Sequence, residues 1–511
     1  MPSKTRSVCI VGAGAAGLTL ARALASGGWH VQILESGQRK PRGGFDDANR
    51  ARIVGTPHRG VNEGRFRAWG GSTTRWGGQL WPWEPYEFEA RGCPHVPGWP
   101  ISYDTLARYY VSAFASLGVP SPTLDTNGAR QRGVLIPQLD EEQFALKYST
   151  WLPWRLRNLG RSVGAPLQRD PNVAVHMQTT ATHLTLDGDG RARGVEARDK
   201  QGERVRFDAD VIVLAGGAVE NSRLLLECGM ARGGTSRWLG RGFMDHLSVR
   251  VGQFHPRDPE RFARMFAPVF VGPIQHTPRI VLRRDLLERE CMLGCYGHWN
   301  VELPPESGLL VVREKLRALQ AGSGLHLSGQ DIRQMLSGVI EAARIARGII
   351  VDRRRYFPRG GRIHLRIDTE QLPDPESRIF LTDELDANGV PRVGIDWRVS
   401  AAERRTVVRA TELLAKELDE RGIGDLEGLD DPFDPGRPWG ELRGDSFHMM
   451  GGTRMAISPD GGVVDTDSRV FGTENVYVAG ASVFPTGGMA NPTLTLIALT
   501  LRLADHLSKS A

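Results

Sequence analysis

Cysteine, long apolar runs and charge of a single sign are all scarce in this chain of 511 residues. The cysteines are odd in number and irregularly spaced, so we expect all of them to be reduced packing residues rather than parts of a disulfide framework or a zinc site. No uninterrupted apolar run approaches about 18 residues, so stable membrane insertion is not expected, and no metal site is predicted. The five cysteines are Cys9, Cys93, Cys228, Cys291 and Cys295.

The charge balance and composition are those of an ordinary globular protein. The net charge is +6, and arginine is spread along the chain without a basic stripe, which argues against a nucleic-acid partner. A hydrophobic content of 40% and a charged content of 24% fit a soluble protein, and the length allows two or three domains. The first predicted strand begins near Arg6, which leaves no room for a signal peptide. A cytoplasmic enzyme is therefore the default expectation.

The first residues carry a pattern typical of a dinucleotide-binding unit. Strand, helix and second strand are predicted over residues 7–35. Gly12 makes a tight turn, Gly14 lets the backbone approach a pyrophosphate, and Gly17 lets helix and strand pack closely. Glu35 follows at the distance at which an acid binds a ribose hydroxyl. Because these features are in register, the pattern is much stronger than a glycine motif alone.

The middle of the chain predicts a second domain inserted into the first. Residues 60–83 are rich in glycine and tryptophan, which favours an extended loop laid against something flat. Strands are predicted again between residues 172 and 226, with a hairpin turn at Asp187. The inserted domain is indicated by a helical stretch over about 308–357 and by strand-like runs at 278–283, 362–368, 377–382 and 392–398.

Two residues near the end of the chain are candidates for catalysis. His448 can accept a proton near neutral pH, and Asn491 lies directly before Pro492 and an apolar helix. Each has a structural alternative, because a histidine can simply be buried and an asparagine before proline is a good helix N-cap. A base and an amide beside a dinucleotide site favour a flavin enzyme that oxidises alcohols.

Motifs at both ends and in the middle resemble the glucose-methanol-choline (GMC) oxidoreductases, and in particular the pyranose oxidase and glycoside 3-dehydrogenase branch. The likeness implies an α/β FAD-binding Rossmann-like domain and an α+β substrate domain with a mainly antiparallel sheet. The implied FAD-binding segments are 1–83, 165–253 and 446–511, and the substrate-binding segments are 84–164 and 254–445. The motifs begin at Gly12 (GAGAAG), Gly70 (GGSTTRWG), Leu239 (LGRGFMDH), Gly452 (GTRM), Gly480 (GASVFP) and Asn491 (NPTLT).

The resemblance also implies roles for individual residues. His448 is the expected catalytic base, Asn491 is expected to hold the substrate oxygen, and Gln371 is a candidate substrate contact beside both. His246 is expected to have a structural hydrogen-bonding role, and a place near the active site is the alternative for it. The residues expected to contact FAD are Gly12, Gly14, Ala15, Ala16, Gly17, Glu35, Ser36, Arg67, Gly70, Gly71, Ser72, Thr73, Arg75, Trp76, Gly77, Gly78, Ala174, Ala215, Gly216, Gly217, Asn221, Gly480, Ala481, Asn491, Pro492 and Thr493.

The mode of FAD binding and the partners are further expectations. Some sugar oxidases of this branch attach FAD through a histidine just before the loop tryptophan, whereas Arg75 stands there in this chain. Non-covalent FAD is therefore predicted. The substrate is expected to be a small alcohol, namely a hydroxyl of a sugar, a glycoside or an amino-sugar intermediate, with oxygen or another acceptor taking the electrons.

Alternatives to sugar oxidation stay open. A non-sugar alcohol is one, and a non-redox FAD-containing lyase of the same fold is another. An NAD(P)H-using flavoprotein would need a second glycine-rich motif, which the sequence does not contain. The basic run 353–355 is expected to form a solvated face. Alternatively, it contacts an acidic partner, a quinone-bearing membrane surface or a phosphorylated substrate.

Overall fold

The computed structural model describes residues 6–41, 46–119, 124–230, 236–305, 307–321, 327–428, 432–434, 436 and 440–509. The strands are β1 (Ser7–Val11), β2 (His30–Glu35), β3 (Ala51–Ile53), β4 (Gln79–Leu80), β5 (Phe144–Trp151), β6 (Val173–Met177), β7 (Thr180–Leu186), β8 (Ala192–Arg198), β9 (Arg204–Phe207), β10 (Val211–Leu214), β11 (Leu247–Pro256), β12 (Val269–Val271), β13 (Ile274–Leu282), β14 (Cys295–Glu302), β15 (Arg362–Thr369), β16 (Arg378–Leu385), β17 (Pro391–Asp396), β18 (Gly424–Glu427), β19 (Arg443–Asp445) and β20 (Val476–Val478).

The α-helices are α1 (Ala15–Ser26), α2 (Gly60–Glu63), α3 (Tyr103–Ser116), α4 (Thr126–Gln131), α5 (Trp154–Arg157), α6 (Leu159–Ser162), α7 (Gly164–Leu167), α8 (Ala218–Glu227), α9 (Pro259–Phe266), α10 (Arg284–Arg289), α11 (Gly308–Ala321), α12 (Gly329–Ser337), α13 (Val339–Arg347), α14 (Ala401–Glu420) and α15 (Thr493–Lys509). Short 3-10 turns cover Asp47–Asn49, Gly71–Thr74, Pro85–Glu87 and Ala481–Val483, and a π-helical turn covers Gly348–Asp352.

A parallel five-stranded sheet in the order β20-β10-β1-β2-β6 holds the two ends of the chain together. β10 is apolar along its whole length and β1 is apolar after Ser7, as expected when both faces of a parallel sheet are covered. The predicted strand, helix and strand over residues 7–35 are confirmed as β1, α1 and β2. α15 packs against α1, so the last helix of the chain lies next to the first.

Two of the motif glycines are needed for this packing. Gly12 has a φ of +109°, and a Cβ atom there would lie 2.6 Å from the carbonyl oxygen of Ala215. A Cβ atom on Gly17 would lie 1.9 Å from the carbonyl oxygen of Gly12. A side chain at Gly12 would push the β1–α1 turn away from the end of β10, and a side chain at Gly17 would push α1 away from that turn.

A second, antiparallel sheet has the order β18-β11-β15-β14-β13-β5-β4, with β12 beside β13 and β19 beside β11. The helix α14 packs against β15 and β14, and buried apolar side chains such as Leu365, Ile367 and Leu414 fill the space between them. One face of the sheet is therefore closed by α14. Because side chains alternate along a strand, every second residue of β13, β14 and β15 points to the opposite face.

The strand pairing departs from the sequence expectation in the segment 46–83. Residues 60–83 were expected to be one extended loop, but the segment contains α2, a 3-10 turn and β4. β3 pairs with β17, and β4 pairs with β5, so this early segment contributes to two sheets built mainly from later residues. The predicted runs at 278–283, 362–368, 377–382 and 392–398 are confirmed as β13, β15, β16 and β17.

The expectation that all five cysteines are reduced is wrong for one pair. Cys93 and Cys291 form a disulfide with a Cα–Cα distance of 4.9 Å, and 198 residues separate them in the chain. The spacing of cysteines along a sequence carries no information on residues this far apart, which is why the pair was missed. Cys9, Cys228 and Cys295 are free. In the described residues, no helix has the length and apolar character needed to cross a bilayer.

Candidate active site

A cavity of about 990 Å³ lies between the parallel sheet and the open face of the antiparallel sheet. Its first wall consists of the β1–α1 turn, the segment 71–78, the β10–α8 turn and the start of α15. The second wall consists of side chains from β4, β5, β13, β14 and β15, and His448 lies where the two walls meet. The cavity is thus shared between the predicted dinucleotide-binding elements and the predicted substrate sheet.

Most of the predicted site residues line this cavity. They are Gly12, Gly14, Ala15, Ala16, Glu35, Ser36, Arg67, Gly71, Ser72, Thr73, Arg75, Trp76, Gly77, Gly78, Ala215, Gly216, Gly217, Asn221, His448, Gly480, Ala481, Asn491, Pro492 and Thr493.

Four predicted residues lie outside the cavity lining, each for a visible reason. Gly17 packs against Gly12, as described above. Gly70 has a φ of +104° and faces the backbone of Gly160, so it shapes the loop from behind. Ala174 is exposed on the edge strand β6. Gln371, the candidate substrate contact, is buried behind the site.

The glycine-lined wall has room for a dinucleotide. A Cβ atom added to Gly14, Gly217 or Gly480 would meet no described atom within 4 Å, although all three residues line the cavity. The N-terminus of α1 faces this space, and its free N–H groups favour a phosphate there. The Glu35 carboxylate accepts hydrogen bonds from the N–H of Ala13 at 3.0 Å and is placed at the end of β2. These features fit FAD.

A buried cluster of arginines beside this wall was not foreseen from the sequence. Glu220, just after the β10–α8 turn, lies 2.9 Å from Arg65, 3.0 Å from Arg67 and 2.8 Å from Arg223. Burial lowers the pKa of Arg65 to about 10, so the guanidinium keeps its charge at neutral pH. Three arginines share the single negative charge of Glu220. The net positive charge that remains favours binding of a pyrophosphate.

His448 and Asn491 meet at the junction of the two walls. The Asn491 amide Nδ2 lies 2.9 Å from His448 Nε2. Asn491 Oδ1 is buried and has no hydrogen-bond partner among the described residues. A helix cap requires that oxygen to accept a backbone N–H, so the Asn491 side chain does not cap α15. The structural alternative for Asn491 therefore does not apply, and the amide is available to a ligand.

His246 fixes the hydrogen position on His448. His246 Nε2 lies 3.2 Å from the Gly487 carbonyl oxygen, which can only accept, so Nε2 carries the hydrogen of His246. His246 Nδ1 is then an acceptor, and it lies 3.0 Å from His448 Nδ1, which must donate. The lone pair on the second nitrogen of His448, Nε2, therefore accepts a hydrogen bond from the Asn491 amide Nδ2. The expected hydrogen-bonding role of His246 matches this geometry.

The surroundings of His448 keep it neutral. Burial, and then the nearby His246, lower the pKa of His448 to about 4. At neutral pH the side chain is therefore unprotonated at Nε2, which is the state that a general base needs.

The backbone around His448 is held by Asp245, which is fully buried. Its carboxylate accepts the N–H of His448 at 2.9 Å and the N–H of Ser446 at 3.2 Å. His58 Nε2 lies 3.2 Å from the other side of the same carboxylate. His58, Asp245 and Asp445 are close enough together to suggest a metal site. However, both oxygens of Asp445 already accept backbone N–H groups, so hydrogen bonding accounts for the cluster.

Gln371 supports the site rather than lining it, which corrects the expectation of a substrate contact. Its Oε1 accepts the N–H of Asp245 at 2.9 Å and the indole N–H of Trp397 at 2.7 Å. Its Nε2 donates to the Arg398 carbonyl oxygen at 2.5 Å. Both the Oε1 and the Nε2 atom of the Gln371 amide are thus hydrogen-bonded to neighbouring protein groups. Residue type alone could not distinguish this role from a sugar contact.

The antiparallel sheet adds polar cavity residues that the sequence reading did not identify. Asp368 on β15 accepts from Tyr296 at 2.8 Å, and His298 Nε2 lies 3.2 Å from the same carboxylate. Burial alone would raise the pKa of Asp368, but His298, Arg366 and the Ser248 hydroxyl hold it well below its usual range. The signal that could have found these residues is alternation, since positions 296, 298 and 300 share one face of a strand.

The basic run 353–355 is split by the structure. Arg353 is exposed, whereas Arg354 is buried and donates to the carbonyl oxygens of Arg264 and Gly133. Arg355 lines the cavity. Arg353 and Arg355 are both exposed, so the expectation of a solvated basic face fails only for Arg354.

Comparisons with known proteins place the chain in a family. Two family models described as GMC oxidoreductase match residues 95–248 and 373–500, which together make up more than half of the chain. The chain is similar to the 6'''-hydroxyparomomycin C oxidase of Streptomyces lividus, with 25% identity over 98% of this chain and 92% of the relative. It is 33% identical to the C-glycoside 3-oxidase of Microbacterium trichothecenolyticum over 66% of this chain and 54% of the relative.

A solved structure supports the architecture. The pyridoxine 4-oxidase from Mesorbium loti superposes with a TM-score of 0.58 at 18% sequence identity. The match covers 98% of this chain and 99% of that chain. At this identity the likeness concerns the fold alone, and it agrees with a parallel sheet joined to a larger antiparallel sheet.

Proposed function

The chain belongs to the GMC oxidoreductase family and is an FAD-dependent alcohol oxidoreductase, and on that basis we propose that it oxidises a hydroxyl group of a sugar or glycoside to a carbonyl. The observation that carries the proposal is the 2.9 Å contact between His448 Nε2 and Asn491 Nδ2 inside the cavity. Relatives named as oxidases of an aminoglycoside and of a C-glycoside support a sugar-like substrate.

The reaction removes a proton from the hydroxyl oxygen and a hydride from the carbon. Bound FAD supplies the hydride acceptor. His448 Nε2 exchanges its contact with the Asn491 amide for the substrate hydroxyl and takes the proton from it. Asn491 donates from Nδ2 to the same oxygen and holds it against the base as negative charge develops.

The neighbouring residues orient this pair. His246 keeps the hydrogen of His448 on Nδ1, so that Nε2 faces the substrate. Asp245 holds the backbone of residues 446–448, and Gln371 holds the backbone of Asp245. The N-terminal end of α15 faces the cavity and stabilises negative charge that forms there during the reaction.

We propose that FAD is bound without a covalent link. Arg75 lines the cavity at the position where a linking histidine would stand. The electron acceptor in this proposal is oxygen or a second small molecule, and a non-redox lyase of the same fold is the competing function.

The test is anaerobic mixing of the flavin-loaded protein with sugars, glucosides and non-sugar alcohols. Bleaching of the flavin absorbance by the sugars, and not by the others, is expected. His448→Ala should keep FAD and slow the bleaching by about 100-fold or more. The matched control is His255→Ala, since His255 lies outside the cavity lining and pairs with Glu427 at 2.8 Å. No bleaching by any alcohol would favour the lyase. If the flavin is bleached, its re-oxidation by oxygen or by a quinone identifies the acceptor.

A further inference from the structure

The substrate wall of the cavity carries positive charge that the protein leaves uncompensated. Arg279 on β13 lines the cavity and is only 5% exposed. Its Nε has no partner, and its remaining contacts, to Pro278 and Gln79, are long at 3.5 and 3.4 Å. Within the described residues no carboxylate forms an ion pair with it, and its guanidinium lies over the Tyr296 ring at 5.6 Å. A buried guanidinium in this state is costly unless a ligand completes it.

Arg355 approaches the same region from another part of the chain. Its backbone N–H donates to Pro268 at 2.9 Å, which anchors the segment beside β12. The side chain is open to the cavity and makes no hydrogen bond or ion pair with any described residue. The Arg355 side chain is exposed to the cavity, and the protein around it, followed by the charges of Arg157 and Arg279, lowers its pKa to about 10. The guanidinium therefore remains charged at neutral pH, close to two others.

Among the described residues, no acidic group on this wall forms an ion pair with Arg279 or Arg355, although the charge of Asp368 acts on Arg279. The nearest carboxylate is Asp368, whose oxygens are engaged by Ser248 and Tyr296 and lie beside His298. Asp368 is on β15 and Arg279 is on β13, with β14 between them, so their backbones are about 10 Å apart. Asp368 also contributes to the charge environment of His448. The charge of Asp368 therefore acts on both His448 and Arg279.

We propose that the substrate carries an oxyanion group, a carboxylate or a phosphate, and that Arg279 and Arg355 bind it while His448 and Asn491 receive the reacting hydroxyl. This inference rests on the proposed oxidation of a sugar or glycoside and narrows it to acidic sugars. A guanidinium group binds either a carboxylate or a phosphate, because its coplanar N–H donors can form two parallel hydrogen bonds to two oxygens of the anion. An anion between the two arginines would also relieve their mutual repulsion.

Paired substrates test the proposal on the flavin-loaded protein. Phenyl β-D-glucoside and phenyl β-D-glucuronide differ only at C6, and glucose and glucose 6-phosphate provide the phosphate pair. We expect the charged member of one pair to have a kcat/KM at least about tenfold higher, the scale of a hydrogen bond to a charged group. The pair that shows the preference distinguishes a carboxylate from a phosphate.

Two neighbouring arginines provide the variant and its control. Arg355→Gln should remove about tenfold from kcat/KM for the charged substrate and leave the neutral one unchanged. Arg353→Gln alters an exposed arginine two residues away, and both substrates should keep their wild-type values. Arg355→Lys keeps the charge but loses the planar guanidinium. Its kcat/KM for the charged substrate should lie between the values of Arg355→Gln and Arg353→Gln.

Several outcomes would overturn the proposal. A wild-type enzyme that favours the neutral member of both pairs has no anion subsite. An equal loss on charged and neutral substrates in Arg355→Gln would mean that Arg355 acts on the flavin or the fold. An equal effect of Arg353→Gln and Arg355→Gln would mean a general surface charge effect.

Failure of the proposed oxidation would be seen separately, as an absence of flavin bleaching by every sugar. Calorimetric titration with glucuronate and with inorganic phosphate then decides the subsite. Binding that weakens with salt and is lost in Arg355→Gln, but not in Arg353→Gln, supports it. Absence of binding, or equal binding by both variants, overturns it.

Discussion

The Nδ1 atoms of His246 and His448 lie 3.0 Å apart, and this contact determines which nitrogen of His448 acts as the base. Because His246 donates from Nε2 to Gly487, its Nδ1 can only accept, and His448 must keep its hydrogen on Nδ1. His246 is therefore a positioning residue that acts on substrate through His448. Its influence should appear in the rate and the pH dependence of flavin reduction and not in FAD content.

We expect His246→Ala to retain FAD and to lower the rate of flavin reduction by about tenfold, because His448 is then free to place its hydrogen on Nε2. His246→Gln supplies an acceptor in a similar place and should recover part of the rate. Rapid anaerobic mixing provides the rates, and the pH profile of each variant should be recorded alongside. An unchanged rate and profile in His246→Ala would return this residue to a purely structural role.

The pH dependence of flavin reduction should reflect the low pKa of His448. The base works only when Nε2 is unprotonated, so activity is lost as the pH falls through that pKa. With a pKa of about 4, we expect a flat rate between about pH 6 and 8 and a decline only at more acidic pH. The measurement is the limiting reduction rate at saturating substrate across the pH range. A decline centred near 6.5, the value of an ordinary histidine, would contradict the burial argument.

Asn491→Asp should damage the reaction more than the fold. A carboxylate cannot donate to the lone pair on His448 Nε2, and it favours the protonated histidine, so it raises the pKa of the base. We expect a rate at neutral pH about 100-fold lower and an acid limb moved to higher pH. Asn491 Oδ1 caps nothing, so the melting temperature should change little. A normal rate with a lowered melting temperature would mean that residue 491 serves the helix.

Acid precipitation should release the flavin into the supernatant. Arg75 offers no nucleophile for a bond to the flavin, unlike the histidine that some sugar oxidases have at this position. Visible absorbance of the supernatant and of the redissolved pellet gives the distribution. Yellow colour that stays with the pellet would contradict the prediction, and His298, which lines the cavity, would be the first residue to examine by peptide mass.

The Cys93–Cys291 disulfide should stabilise the protein under non-reducing conditions. It closes a loop of 198 residues, so Cys93→Ser is expected to lower the free energy of unfolding by about 2–4 kcal/mol. Cys228→Ser is the control, because Cys228 is free and only partly buried. Melting curves with and without reductant measure the effect. Proteolytic peptides without a Cys93–Cys291 crosslink, and equal melting curves for wild type and Cys93→Ser, would refute it.

Local sequence determined the elements whose form depends on neighbouring residues. The β1–α1–β2 unit was predictable because a strand, a tight turn at Gly12 and a helix are all built within a few residues of each other. Strand-like runs predicted β13 and β15 of the antiparallel sheet, and β16 and β17 of a smaller sheet. The motifs at the end of the chain identified His448 and Asn491 as candidates. None of these inferences required knowledge of how distant segments meet.

Tertiary structure alone decided the relationships across the chain. The contact of His246 with His448, the burial of Gln371 behind the site, the Cys93–Cys291 bond and the approach of Arg355 to Arg279 each join residues far apart in sequence. The same amide or guanidinium can contact solvent, backbone or ligand, and its hydrogen-bonding partners determine which. Those partners are set by the packing of the two sheets, so the sequence identified the chemical groups while the fold assigned their roles.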